Sequence, residues 1–238
     1  AVMPVLDDLG KEFGVTVYVA WIQGTPPIIG TWPSKSTRNE TERREDERRV
    51  LDLLESTRFD AVLCIARWPI YVQGAPNGQQ TKTYHLLTEA GSRNSKTPDQ
   101  AARLFLEHFP ATISRLESRG AKVYVMQDVG EQPFHVPLMV IQASRRRVDV
   151  NDWALTLDEH RKRSVKVTKL LERAVDGTGA VLLDPMPLFT DERGVYLMAK
   201  DGEALYVDRD HLSPAGARQL RPLLEPVFRE AVERGQSD

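Results

Sequence analysis

The sequence predicts an α/β fold in which helices cover both faces of a parallel sheet. Short runs of apolar, β-branched residues alternate along the chain with amphipathic segments of about 12 residues or more. Strands that are separated by helices of this length run parallel to one another in a sheet. Because ligands of such sheets bind beyond the carboxyl ends of the strands, we expect the functional site in the loops that follow the strands.

The composition narrows the possible functions. Of the 238 residues, 41% are hydrophobic and 28% are charged, which is typical of a soluble globular protein. The formal net charge of −2 argues against nucleic acid as the main partner. No apolar run reaches the roughly 18 residues that a membrane-spanning helix needs. Cys64 is the only cysteine, which excludes an internal disulfide and a cysteine-based zinc site.

The first part of the chain contains two predicted helices and two predicted strands. Residues 2–13 place apolar side chains at helical spacing, and Gly14 is a typical helix terminator. Residues 15–22 (VTVYVAWI) form an almost continuous apolar run, which predicts a strand buried on both faces. After a proline-rich loop, residues 37–57 carry charges of alternating sign and predict a solvated helix. Residues 60–66 (DAVLCIA) predict the second strand.

The alternation continues after a polar insertion at about residues 77–97. The predicted elements are a helix at 97–119, a strand at 122–127, an irregular proline-containing stretch, a helix at 157–174, a strand at 180–183 and a final helix at 214–232. A second polar insertion, of hairpin type, occupies about residues 191–206. We therefore expect one domain over residues 1–238 with two insertions.

Asp208 and His211 are the strongest candidates for a chemical role. They lie three residues apart, ahead of a helix for which Ser213 is a good N-cap and Pro214 a good first residue. A neutral imidazole beside a carboxylate can act as a general base whose tautomer the carboxylate holds. The spacing alone leaves open a surface loop in which Ser213 caps the helix and the histidine has no function.

Several segments together resemble the SGNH hydrolase superfamily. They are the GTPP loop at 24–27, the ARWP segment at 66–69, the Asp-Pro pair at 184–185 and the YVDRDHLSPAGA segment at 206–217. Within the superfamily, the chain is most similar to the periplasmic SGNH domains fused to acyltransferase family 3 membrane proteins, which O-acetylate surface sugars. The resemblance covers essentially the whole chain. It implies a three-layer α/β/α fold with a parallel, flavodoxin-like sheet.

The resemblance assigns roles to the residues that match the family's motifs. It implies that His211 is the catalytic base, that Asp208 orients it, and that the backbone N–H of Gly24 contributes to the oxyanion hole. Many members of the superfamily supply an asparagine to that hole, whereas this chain has Arg67 at the equivalent strand end. Our hypothesis is that Arg67 takes over part of the asparagine's role.

Two aromatic residues and a basic run are further candidates for binding. Trp68 and Tyr71 follow the second predicted strand and can stack on sugar rings, although packing against the proline-rich loop explains them equally well. The three arginines at 145–147 can meet an anionic glycan or a membrane surface, but a solvated run beside a helix is the simpler interpretation. The histidines at 85, 108, 135 and 160 have no metal-ligand spacing. We expect no metal and no other cofactor.

The family's nucleophile is absent from the 238 residues. Related proteins carry it as the serine of a Gly-Asp-Ser-His turn between the first strand and the first helix, and no Gly-Asp-Ser occurs in this sequence. The serines that are present are interpreted as ordinary loop hydroxyls or, for Ser213, as a helix cap. We therefore expect the first strand and the serine to precede Ala1. A sheet without its central strand would leave the backbone groups of two strand edges unpaired.

The expected function is O-acetyl transfer to a hydroxyl of a cell-surface glycan, through a serine ester and a Ser-His-Asp triad. Its partners would be an acetyl donor, a glycan acceptor and a membrane acyltransferase domain that is fused or associated. The protein would act in the periplasm or elsewhere outside the cytoplasm, as the soluble part of a membrane protein. The alternatives are an esterase that uses the same site with water, and a non-catalytic glycan-binding domain that keeps the fold.

Overall fold

The computed structural model describes residues 2–34, 38–74, 86–90 and 97–236, which form two compact units. Unit 1 consists of Ala1–Val17, Val129–Arg163 and Asp184–Asp238, and unit 2 consists of Tyr18–Asp128 and Ser164–Leu183. Most of the insertion predicted at 77–97, including His85, lies outside the described residues. The assignment of residues 1–238 to one domain stays a prediction.

Helices and short strands alternate through the described part of the chain. The helices are α1 (Met3–Phe13), α2 (Glu40–Ser56), α3 (Trp68–Val72), α4 (Pro98–Glu117), α5 (Val136–Arg146), α6 (Leu157–Val175), α7 (Pro214–Gln219) and α8 (Arg221–Gly235). The strands are β1 (Thr31–Pro33), β2 (Ala61–Ile65), β3 (Leu87–Glu89), β4 (Lys122–Met126), β5 (Val181–Leu183), β6 (Ala199–Lys200) and β7 (Glu203–Ala204). Turns of 3-10 helix occur at Val150–Trp153 and Met186–Phe189.

Unit 2 contains a parallel sheet with the strand order β2-β4-β5. Cys64 of β2 pairs in register with Val125 of β4, which pairs in turn with Leu182 of β5. These strands differ from the predicted ones only at their ends, and α4 and α6 provide the connections between them. The predicted α/β class with a parallel sheet is confirmed.

The apolar face of α4 forms part of the core of unit 2. The helix begins with a capping box, in which the Thr97 side chain accepts a backbone N–H of the first turn. Phe105 and Phe109 are fully buried, and their ring centroids lie 6.0 and 5.1 Å from that of Trp68. Cys64 belongs to the same cluster, and burial raises the pKa of its thiol to about 12. At neutral pH this thiol is therefore protonated and unreactive.

The strand predicted at residues 15–22 is absent, and that prediction was wrong. No strand forms there, and the side chains of Tyr18, Val19 and Trp21 are 56, 52 and 77% exposed. A strand forms only where a neighbouring strand takes up its backbone hydrogen bonds, and the described residues provide no such neighbour for this run. The apolar pattern identified a segment suited to a sheet, but it could not show whether a partner strand was present.

The structure of unit 2 also contains elements that were not predicted. β1 and β3 form an antiparallel pair, in which Trp32 lies opposite Thr88. The short helix α3 begins directly after Arg67, with Pro69 in its first turn, where the missing N–H of proline costs no hydrogen bond. The charged helix α2 was predicted correctly as solvated, because none of its residues is buried.

Unit 1 contains α1, which buries Val5, Leu6 and Leu9 as its apolar spacing predicts. The final helix, predicted as one element over 214–232, is divided into α7 and α8. Pro222 lies in the first turn of α8. Because proline has no backbone N–H to donate to a carbonyl oxygen of α7, the helical hydrogen bonding is interrupted there.

α5 was also missed, because the stretch after β4 was expected to be irregular. Pro133 and Pro137 mark this stretch as irregular in the sequence, yet Pro137 lies in the first turn of α5, where proline is favourable. The hairpin expected within residues 191–206 is present as β6 and β7, which pair antiparallel.

Candidate active site

The loop that carries Asp208 and His211 connects β7 to α7 in unit 1. The Val207 N–H donates to the His211 carbonyl oxygen at 2.9 Å and closes the loop on itself. Ser213 caps α7, since its Oγ accepts the Gly216 N–H at 3.1 Å. The predicted helix cap is confirmed, and the pair lies directly ahead of the helix. We refer to residues 207–211 as the site loop.

Asp208 contacts His211 through both carboxylate oxygens. Its Oδ2 lies 2.7 Å from Nδ1 of His211, and its Oδ1 accepts the His211 backbone N–H at 2.8 Å. Oδ1 also accepts the Asp210 N–H at 2.9 Å. The His211 side chain is 64% exposed, and no described residue is hydrogen bonded to its Nε2. One carboxylate therefore fixes both the loop backbone and one nitrogen of the imidazole, while the other nitrogen is open.

The surroundings of Asp208 keep its carboxylate ionised. Burial alone would raise its pKa, but the N–H groups of Asp210 and His211 and the His211 imidazole outweigh burial and lower the pKa to about 2. An ionised carboxylate at Nδ1 favours the tautomer that carries its proton there and leaves Nε2 as the acceptor. His211 can therefore take up a proton at Nε2, and the Asp208 carboxylate can stabilise the imidazolium that results.

The site loop is held by the segment ahead of α5. The Gln132 N–H donates to the Arg209 carbonyl oxygen at 2.8 Å, and the Val136 N–H donates to that of Asp208 at 2.9 Å. These two bonds fix two consecutive carbonyl groups of the loop backbone, those of Asp208 and Arg209. Sequence reasoning missed both contacts, because backbone donors in an irregular stretch leave no pattern in the residue types.

Gln132 is itself anchored by its side chain, which is fully buried. Its Nε2 donates to the Tyr196 carbonyl oxygen at 2.8 Å, and its Oε1 accepts the Leu155 N–H at 3.1 Å. The Tyr196 hydroxyl accepts the Gly130 N–H at 2.7 Å. A buried polar side chain whose hydrogen bonds are satisfied fixes the position of the segment ahead of α5. Because this segment is hydrogen bonded to the site loop, it fixes the position of the loop as well.

The other predicted site residues belong to unit 2. Gly24 lies in a turn closed by the Thr25 N–H, which donates to the Ile22 carbonyl oxygen at 3.1 Å. Its φ of 68° is the left-handed conformation that glycine adopts without strain. Arg67 is half-buried and directly precedes α3.

Trp68 and Tyr71 require a correction. They are only 0 and 5% exposed, and Nε1 of Trp68 donates to the Met126 carbonyl oxygen at 2.7 Å. Burial also raises the pKa of Tyr71 to about 12. Of the two alternatives for these residues, packing is therefore the one found in the structure, because neither ring presents a face on which a sugar could stack.

The chain is similar to a known protein family and to a solved structure. A family model described as "SGNH domain (fused to AT3 domains)" matches residues 1–226. The chain belongs to this family. A solved structure, the periplasmic domain of a lipopolysaccharide acetyltransferase from Salmonella ser. Paratyphi A, is similar with a TM-score of 0.59 and 12% sequence identity. The similarity covers 96% of this SGNH domain and 79% of that chain. No curated protein sequence matches the chain.

These findings confirm the resemblance to SGNH domains and the fold that it implies. At 12% identity the structural likeness concerns the fold, so the roles of individual residues in this SGNH domain rest on its own geometry. Within the described ranges, no helix has both the length and the apolar character that crossing a membrane requires.

One group of side chains in the described part of the SGNH domain has the composition of a metal site. Asp208, Asp210 and His211 each offer a ligand atom, and these atoms lie within 4.8 Å of one another. However, Nδ1 of His211 is already hydrogen bonded to Asp208, and the same carboxylate accepts the backbone N–H groups of Asp210 and His211. The hydrogen bonds explain why the three residues are close together, and no further observation points to an ion.

The remaining described histidines lie at the surface or are half-buried, as predicted. His135 is exposed and directly precedes α5, and His108 is half-buried in α4. His160 is half-buried with its ring 5.0 Å from that of Tyr196, and burial lowers its pKa to about 4. His160 is therefore neutral at physiological pH.

Proposed function

We propose that this SGNH domain transfers an acetyl group to a hydroxyl of a cell-surface glycan through a serine ester. The proposal rests on the 2.7 Å contact between Oδ2 of Asp208 and Nδ1 of His211, in a loop that leaves the imidazole 64% exposed. Acyl transfer needs a base twice, once for each hydroxyl that attacks. A histidine oriented at one nitrogen and open at the other meets that need.

The first half-reaction forms the serine ester. The serine Oγ attacks the carbonyl carbon of the acetyl donor while Nε2 of His211 takes the hydroxyl proton. When the bond between the acetyl group and the donor breaks, the imidazolium returns the proton to the leaving group. Asp208 stays ionised throughout and stabilises the imidazolium between these two steps.

The second half-reaction moves the acetyl group to the sugar. A glycan hydroxyl attacks the serine ester, and His211 takes its proton and passes it to the serine Oγ as the ester bond breaks. Water in place of the sugar would make the same site an esterase. Comparing products from one acetyl donor with and without the sugar acceptor distinguishes the two reactions.

The serine is proposed to come from a segment outside the 238 residues, because no Gly-Asp-Ser occurs among them. The exposed apolar run at residues 15–22 supports this proposal. Its composition is that of a sheet strand, and it would have a neighbour if the strand that leads to the serine were added.

Two further roles rest on the family resemblance. The N–H of Gly24 is proposed to contribute to the oxyanion hole, and the left-handed backbone at Gly24 supports glycine at this position. Arg67 is proposed to contact the substrate where relatives have an asparagine. Unchanged turnover in Arg67→Ala would remove Arg67 from the mechanism.

The proposed partners are an acetyl donor, a glycan acceptor and a membrane acyltransferase domain that supplies the donor. The fusion of the family's SGNH domains to AT3 domains supports the last of these. The periplasmic origin of the structural neighbour supports a location in the periplasm or elsewhere outside the cytoplasm.

A second candidate is a non-catalytic glycan-binding domain. The absence of the asparagine donor, where this chain has Ala66-Arg67-Trp68, favours it. The encoded residues ahead of Ala1 discriminate between the candidates, because Gly-Asp-Ser there supports catalysis and its absence supports binding.

Substitution of His211 in the complete protein tests the proposed function. His211→Ala should lower acetyl transfer by roughly three or more orders of magnitude, as the loss of one triad member does. His135→Ala is the matched control, since this histidine is also exposed, and it should leave transfer within about threefold. A loss of less than about tenfold in His211→Ala would exclude His211 as the base.

A further inference from the structure

α5 presents an apolar stripe to solvent on the face opposite to the one it buries. Its buried residues, Val136 and Ala143, are seven positions apart and therefore lie on one side of the helix. Leu138 and Ile141 lie on the other side, and their side chains are 54 and 50% exposed. Phe134, just ahead of the helix, is 47% exposed. Neighbouring exposed apolar side chains of this kind mark a surface that meets a partner or a membrane.

The stripe leads into three consecutive arginines. Arg145 follows Ile141 by four residues and therefore lies on the same face of α5. Arg146 and Arg147 come next, and all three side chains are exposed. None of them forms an ion pair with a residue in the described ranges. Their positive charges are therefore available to a partner.

The acidic residues that follow in the sequence are already paired. Asp149 and Asp152 each accept a hydrogen bond from Arg193, both at 3.1 Å. Residues 136–147 contain no acidic side chain. The guanidinium group of Arg146 lies 5.7 Å from the ring centre of Trp153, which adds an aromatic side chain next to the arginines. The surface made by Phe134, Leu138, Ile141 and the three arginines, called the α5 face below, is therefore both apolar and positively charged.

We propose that the α5 face docks on an anionic phospholipid bilayer. Helices that lie in the membrane interface combine these two properties, because their apolar side chains enter the acyl boundary while their arginines bind lipid phosphates. An uncharged apolar partner would leave the three arginines unexplained. An acidic partner without apolar surface would leave Leu138 and Ile141 unexplained.

Docking through α5 has a consequence for the site loop. The Val136 N–H at the start of α5 donates to the Asp208 carbonyl oxygen at 2.9 Å, so α5 and the loop are directly linked. Docking of α5 on the bilayer would therefore hold His211 close to the membrane surface. An acetyl donor carried by the membrane could reach His211 there. This consequence rests on the proposed acyl transfer, whereas the docking itself does not.

Co-sedimentation with vesicles tests the proposal, using the SGNH domain together with the segment that is proposed to carry the serine. The chain should sediment with vesicles of equimolar phosphatidylcholine and phosphatidylglycerol, sediment much less with phosphatidylcholine alone, and dissociate as salt screens the arginines. Replacing all three arginines by alanine should lower the partition coefficient on the order of 100-fold, at about fivefold for each arginine. Leu138→Ser combined with Ile141→Ser should lower it by about tenfold or more.

Two matched controls use exposed residues elsewhere. The triple alanine variant of Arg44, Arg48 and Arg49 removes the same charge from α2, where acidic neighbours compensate it. Val165→Ser removes an apolar side chain that is 45% exposed on α6. Both controls should bind as the unmodified chain does, and circular dichroism should show every variant folded.

Three outcomes would overturn the proposal. They are the absence of sedimentation with anionic vesicles, equal sedimentation with neutral vesicles, and binding that the variants of the α5 face do not weaken. The competing possibility is that a second copy of the chain binds the α5 face. Sedimentation velocity without vesicles tests it, because it measures whether the protein is a monomer or a dimer. A dimer that Leu138→Ser with Ile141→Ser dissociates would assign the α5 face to self-association instead.

Discussion

Replacing Asp208 by asparagine separates the two tasks of its carboxylate. Oδ1 accepts the N–H groups of Asp210 and His211, at 2.9 and 2.8 Å, while Oδ2 lies 2.7 Å from Nδ1 of His211. Asparagine keeps an oxygen for the two backbone bonds but places an NH₂ group, which can only donate, where Nδ1–H must find an acceptor. The imidazole must then turn away, or carry its proton on Nε2, where it can no longer accept one from a hydroxyl.

The structure sets the expected size of the effect. For a buried triad aspartate, the same change lowers kcat by about 10⁴-fold. Here the His211 and Asp208 side chains are 64 and 36% exposed, so water can replace part of the lost orientation. We therefore expect Asp208→Asn to lower acetyl transfer on the order of 10²- to 10³-fold. The thermal midpoint should fall less than in Asp208→Ala, because both backbone bonds to the loop survive and only the stabilisation by the ionised carboxylate is lost.

The assay compares kcat for acetyl transfer and the thermal midpoint in the complete protein. Asp208→Ala should lower both quantities, since it also removes the backbone bonds of the loop. Asp176→Asn, at an exposed carboxylate at the end of α6, serves as the control and should change neither. If Asp208→Asn retains kcat within about threefold of the unmodified protein, the carboxylate does not orient the base and the reasoning is refuted.

Three further predictions concern the support of the site loop. Gln132→Leu leaves buried backbone groups unpaired and should lower the free energy of unfolding by about 2–4 kcal/mol in urea titrations, whereas exposed Gln142→Leu should have almost no effect. Gly216→Ala would place a methyl group against the Leu205 carbonyl oxygen and should lower that free energy by about 1–3 kcal/mol, as thermal unfolding can measure. Because the pKa of Asp208 falls from 3.8 to about 2 on folding, its ionisation stabilises the fold above the unfolded value, and this contribution is lost as the pH falls towards about 2. The stability difference between the unmodified protein and Asp208→Asn should accordingly shrink over that range, and a constant difference would contradict the cause given for the lowered pKa.

Much of the fold followed from local patterns. The runs that became β2, β4 and β5 are short, apolar and bounded by turn residues, and together they form the parallel sheet. The start of α4 was predicted from Thr97, Pro98 and Asp99, and the structure adds a capping box between Thr97 and Gln100 at the same place. Such patterns depend only on residues that are close together in the sequence. They can therefore be recognised without knowledge of the tertiary structure.

Other features depended on distant partners and could not be predicted. The run at residues 15–22 has the composition of a strand but no neighbour in the described part of the chain, and it is exposed. Trp68 could have stacked on a ligand or packed in the core, and only the positions of Phe105, Phe109 and the Met126 carbonyl oxygen decide for packing. The apolar residues of α5 at 138 and 141 gave no hint that they face solvent.

The sequence alone determined the α/β class and the base-and-carboxylate pair ahead of a capped helix. Both depend on residues within a few positions of one another, which periodicity and spacing express directly. Only the tertiary structure decided that Gln132 and Val136 anchor the site loop, and that α5 exposes an apolar, arginine-bearing face beside it. The anchoring arises where segments far apart in the sequence exchange backbone hydrogen bonds, and the exposure of α5 depends on which of its faces packs against other elements. Residue type and spacing express neither of these directly.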